Sequence, residues 1–90
     1  MTPYEYIIKA NAHFGLDIGE PCKFGGATFD ERCMAAYYAI KELHMPYKDL
    51  AKVMNSDNIE LRLMWLFADG NMGVVQSRNR YKEFSKSFNS

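Results

Sequence analysis

The stretch MPYKDLAKVMNSDNIELRLMWLFA, residues 45–68, decides how this chain folds. Pro46 has no amide hydrogen and suits the first turn of a helix, where that donor would be orphaned anyway. Leu50, Ala51, Val53 and Met54 then give inward positions for a short helix, which the polar run Asn55-Ser56-Asp57-Asn58 interrupts. Asp57 and Glu60 stand where an acidic cap and a first-turn acid would accept bonds from unpaired amides and meet the positive end of the helix dipole. The segment that follows, with Ile59, Leu61, Leu63, Met64, Trp65, Leu66 and Phe67, is apolar on most sides. Its Leu, Met and Ala content and its length favour a helix over a strand. Two helices joined by a few polar residues form a helix-turn-helix-like corner, which serves either to enter a major groove or merely to close a core.

Working outward, Thr2, Pro3 and Glu5 spell a capping box with a first-turn proline, so a first helix is expected through about His13. Tyr4, Ile7, Ile8 and Ala12 are its expected apolar stripe, and Gly15 its left-handed stop. The glycine-rich stretch 15–26 reads as a structured loop without either phosphate-cradling glycine pattern. Thr28 and Glu31 repeat the capping pattern before a second helix over roughly 29–43, whose wide low-polarity face places it at the centre of the domain. After the fourth helix, ADGNMG reads as a turn, and Val74-Val75 leaves room for a minor β element near residues 70–76. Tyr81, Phe84 and Phe88, spaced three and four apart, predict a terminal amphipathic helix. The expected fold class is therefore all-α, a single domain over 1–90 with four or five helices and a helix-turn-helix-like corner.

With 90 residues there is room for one core, since a chain this size buries about 64% of its extended surface. Eleven Lys and Arg balance eleven Asp and Glu, so any hold on nucleic acid must come from a local patch rather than a general field. Residues 1–60 carry six basic and nine acidic side chains, whereas 61–90 carry five and two, which makes the tail the basic end. No run is long and apolar enough for a membrane span and no signal core is legible at the start, so a cytoplasmic protein without a membrane partner is expected. Cys22 and Cys33 form no CxxC unit, and His13 and His44 share no metal-ligand spacing. Acids such as Asp30-Glu31 and Asp57-Glu60 fit helix starts better than a catalytic pair. The expectation is no enzyme activity and no cofactor or metal.

The text RCMAAYY, with Arg32, Ala35 and Tyr37, and the text KELHMPYKDLAKVM, with Asp49, Leu50 and Ala51 at its centre, together carry a family likeness. Over residues 28–68 the chain resembles the C-terminal helix-turn-helix domain of the bacterial replication initiator DnaA. That family reads Gly-Arg-Asp-His-Thr-Thr at the start of its recognition helix, and NSDNIE, from Asn55 to Glu60, stands there in this chain. Asp57 matches the acid, Ser56 stands at the Arg, Asn58 at the His, and Ile59 and Glu60 at the two Thr positions. The resemblance implies a helix-turn-helix fold and binding to double-stranded DNA.

From the residues themselves, Lys48, Lys52, Asn55, Asn58 and Arg62 are candidate DNA contacts along the corner, Lys for phosphate and Asn for an adenine edge. Arg78, Arg80 and Lys82 are candidates on the tail, where Arg78 and Lys82 share a helical face that Lys86 extends. These point to a non-enzymatic DNA-binding or nucleoprotein-associated regulator. The alternative is a small protein-interaction module that modulates a larger protein machine. For that reading Tyr37, Tyr38, Tyr47, Trp65, Tyr81 and Phe84 are the candidate exposed anchors.

Overall fold

A computed structural model describes residues 1–89, which form α1 (Pro3–Phe14), α2 (Phe29–Lys41), α3 (Tyr47–Met54), α4 (Asn58–Asn71) and α5 (Val75–Asn89). The class is all-α, and no strand occurs among the described residues. At the start of α1, Thr2 Oγ1 accepts from the Glu5 amide at 3.1 Å while a Glu5 carboxylate oxygen accepts from the Thr2 amide at 3.3 Å. Two otherwise orphaned donors are thus satisfied together. Gly15, at φ 70°, ends the helix in the left-handed region and donates to the Asn11 carbonyl.

The buried face of α1 is Tyr6, Ile7 and Ala10, and Tyr4, Ile8 and Ala12 of the expected stripe lie outside it. The cause is Tyr6: its hydroxyl donates to the Ala35 carbonyl of α2, and its ring stacks on Tyr38 with 6.3 Å between centroids. A buried aromatic ring with a satisfied hydroxyl outweighs the smaller area that Ile8 would bring inside.

Helix α2 is the central element, buried at Phe29 and continuously from Arg32 to Ala39. Its start departs from the capping-box expectation, because Thr28 makes no side-chain cap bond and Glu31 instead receives Arg80 at 3.1 Å. Its end falls at Lys41, short of Leu43, and the chain reverses through His44 at φ 53° so that the Met45 amide reaches the Ala39 carbonyl.

Helix α4 is the main neighbour of α2, and α3 packs on α1, α2 and α4. The expected turn ADGNMG and the minor β element near 70–76 are both corrected: α4 runs through Asn71, and Val75 opens α5. Ala68 is buried against the core, so continuing the helix past it gains packing that offsets the cost of a helical Gly70. The reversal is confined to Met72–Val74, where the Val74 amide bonds to the Asn71 carbonyl. Helix α5 lies on α1 and closes the core with Phe84, fully buried against Phe14, Tyr6 and Tyr38.

Candidate interaction surface

The corner between α3 and α4 is built on Arg32, which is 2% exposed yet carries a charged guanidinium. One terminal nitrogen donates to the carbonyls of Ile18, at 2.9 Å, and Glu20, at 2.6 Å, and the other donates to Ser56 Oγ at 2.7 Å. Burial lowers the pKa of the group below its usual value, but an arginine so bonded stays charged near neutral pH. Arg32 thereby ties the 15–28 loop and the α3–α4 turn to the central helix. Asn55 supports the same junction: it adopts a left-handed conformation at φ 52°, and its side-chain amide donates to the Gly19 carbonyl at 2.8 Å. Gly19 approaches so closely that a Cβ there would lie 2.9 Å from the Val53 carbonyl oxygen. The turn's Ser56 thus accepts from a guanidinium of the central helix.

Helix α4 begins at Asp57, whose carboxylate accepts from the Glu60 amide at 2.8 Å. Leu61, Met64 and Ala68 face inward and are buried. On the opposite face Ile59 is 74% exposed, Leu63 57% and Leu66 47%, spaced four and three apart along one side. Phe24 from the loop, 78% exposed, stands beside this stripe with its ring 5.8 Å from Phe67. Between them lies a pocket of about 220 Å³, bounded by Cys22 and Phe24 of the loop, Phe29 and Arg32 of α2, and Glu60, Leu63 and Met64 of α4. Contiguous exposed apolar side chains on an ordered helix are the usual mark of a contact surface.

The candidate DNA contacts separate into several environments. Lys48 and Asn58 border a shallow groove with Ala51, Asp57 and Ile59, whereas Lys52 borders another with Thr2, Tyr4 and Asp49. Asn55 spends its side-chain amide on Gly19. Arg62 is exposed and lies over the Trp65 ring at 5.7 Å from its centroid. Arg78 and Lys82 are exposed on α5, and Arg80 is held by Glu31. Helix α5 packs on α1, and α3 packs on α1, α2 and α4, so both segments border α1.

Among the proposed exposed anchors, Tyr37, Tyr38 and Phe84 are buried, and Tyr47, Trp65 and Tyr81 are half-buried. Among the described phenylalanine, tyrosine and tryptophan residues, Phe24 and Tyr4 are exposed. Sequence reasoning reads residues 59–67 as apolar on most sides and takes Trp65 from them as a candidate exposed anchor, so it misses the aliphatic stripe of Ile59, Leu63 and Leu66. The signal was present in the all-round apolarity itself, since a helix at the surface needs only one apolar face.

Cys22 is half-buried, and a hydrogen bond from Thr28 holds its thiol below the usual value. Cys33 is fully buried, and desolvation pushes its thiol up to about 12. Among the described residues, no group of three or more His, Cys, Asp or Glu could hold a metal ion, and no helix is long and apolar enough to cross a membrane. Comparison with protein-family models, curated proteins and solved structures returned no match.

Proposed function

We propose that this protein is a small non-enzymatic interaction module of the cytoplasm, which docks a protein partner on the outward face of α4. The observation that carries the reading is the exposed stripe Ile59, Leu63 and Leu66 beside Phe24, on the helix that a helix-turn-helix protein would present to DNA. A groove-reading helix offers polar side chains to base edges and cations to phosphates. This face offers aliphatic groups, and Asp57 and Glu60 bring negative charge to its leading end. Burying the three exposed aliphatic side chains would contribute on the order of 1.5 kcal/mol or more each, the scale of an interface centre.

A second reading, a DNA-binding or nucleoprotein-associated regulator, is favoured by the exposed Lys48, Lys52, Asn58 and Arg62 around the corner. One set of experiments separates the two. A photoreactive residue at position 63, offered purified protein and cell lysate, should give discrete protein adducts that Leu66→Glu abolishes and Lys82→Glu spares. Labelled duplex DNA at low salt should show no binding that depends on Lys48, Lys52 or Arg62. Absence of adducts from position 63, together with duplex binding that Lys48→Glu and Lys52→Glu abolish, would replace the first reading by the second.

A further inference from the structure

We infer that the partner seated on α4 is a second copy of this chain, its own α4 packed antiparallel about a two-fold axis; the inference rests on the docking reading above. Ile59, Leu63, Leu66 and Gly70 are spaced four, three and four apart, the repeat of a two-helix seam. Reversing the second helix about the midpoint of this set places Leu63 opposite Leu66 of the second copy and Ile59 opposite its Gly70. The most exposed knob of the stripe then faces its one position without a side chain. A Cβ at Gly70 would meet nothing within 4 Å, so the isolated fold has no steric need for glycine there. Glycine inside a helix is otherwise unfavourable. A self-matching partner supplies the reason for it.

The charges agree with the same register. Arg62 and Asp69 flank the stripe on one side, both exposed and one heptad apart; Asp69 also accepts from the Tyr37 hydroxyl at 3.0 Å through one carboxylate oxygen, and Arg62 lies over the Trp65 ring. In the antiparallel pair, Arg62 of each copy falls about 3 Å along the axis from Asp69 of the other, from a rise of about 1.5 Å per residue. Two symmetric ion pairs result, an arrangement that closed two-fold interfaces favour. The other flank carries Glu60 and Phe67, and Phe24 packed on Phe67 adds ring surface there. Helix α4 has 14 residues and spans about 21 Å, so the contact lies at the small end of stable interfaces and the dimer should be of micromolar strength.

Sedimentation equilibrium of the purified full chain from about 5 to 500 μM tests the proposal over the range in which micromolar dimers dissociate. The expected result is a rise from 10.4 kDa toward twice that mass. Leu63→Glu should hold the chain at monomer mass throughout. Gly70→Gln is the variant that keeps the test sound, because it fills the space required by Ile59 of the second copy while favouring the helix. It should leave the melting temperature unchanged or raised and weaken self-association at least tenfold. Arg62→Asp should weaken it similarly, and adding Asp69→Arg should recover association relative to Arg62→Asp alone. A wild type that stays monomeric at 500 μM, or a Gly70→Gln variant that dimerises as before, overturns the second-copy assignment. If that monomer still gives position-63 adducts with a different protein, the docking reading stands without it; if it gives none, both fall.

Discussion

Replacing Arg32 by leucine removes a side chain that joins the central helix, the 15–28 loop and the α3–α4 turn. Its donors reach the Ile18 and Glu20 carbonyls and Ser56 Oγ. Hydrogen bonds from a charged donor contribute about 1.5 kcal/mol or more each, and a buried acceptor left without a partner adds its own desolvation cost. Against this, leucine escapes the penalty of burying a guanidinium and adds apolar contact, which offsets part of the loss. The balance is a destabilisation of about 3 kcal/mol, a large share of the roughly 5–15 kcal/mol total for a domain of this size. Urea titrations followed by circular dichroism should show the midpoint falling at constant slope, and thermal melts should drop by roughly 12–24 °C. Ser56→Ala alone should cost about 1 kcal/mol. In a double-mutant cycle with Arg32→Leu, the two changes should couple by about 1 kcal/mol rather than add. A loss below about 1 kcal/mol for Arg32→Leu, or strict additivity with Ser56→Ala, would refute the claim that the buried guanidinium organises this junction.

Asp57→Ala should lower stability by about 1 kcal/mol in urea titrations, since it withdraws the acceptor of the Glu60 amide; no change would mean that water caps α4 equally well. Gly19→Ala should cost roughly 1–3 kcal/mol through the close Val53 carbonyl, whereas Gly70→Ala should stabilise the monomeric fold by up to about 1 kcal/mol. Stability should also fall as the solution becomes alkaline. Cys33, raised from 9.0 to about 12, and Tyr6 and Tyr81, raised above 10.0, hold their protons in the fold when the unfolded chain has released them. The unfolded state then binds fewer protons, so unfolding free energy decreases with pH from about 9 upward. Equal urea midpoints at pH 8 and pH 10.5 would contradict this. Thiol labelling of the native protein should modify Cys22 readily near neutral pH and Cys33 only on unfolding; equal rates would show that Cys33 is not sealed.

The local grammar of the chain carried most of the fold. Caps at Thr2 and Asp57 and the glycine stop at Gly15 form the expected bonds because each depends on residues within one turn. Failures came where distant partners decided. Thr28 has the sequence of a cap, yet Glu31 is drawn to Arg80, 49 residues away. The face of α1 turned on a single long-range bond from Tyr6 to Ala35. Helix α4 ran on past Ala68 because α2 was there to receive it. The candidate surface was legible only in part. Composition flagged residues 59–67 as too apolar for one face, but which aliphatics stayed outside depended on how α4 rolled against α2.

Tyr6 and Phe84 meet edge to face with their centroids 6.4 Å apart, and Phe88 approaches the same tyrosine at 5.2 Å, so opposite ends of the sequence share one aromatic cluster. During synthesis α1 therefore emerges long before its partner exists. Until α5 has been made, Tyr6, Phe14 and Tyr38 stay open to water and to other nascent chains, a window in which incomplete chains adhere to one another. A ribosome that stalls before Phe84 leaves a product with a sticky, unsealed interior, conspicuous to chaperones and proteases alike.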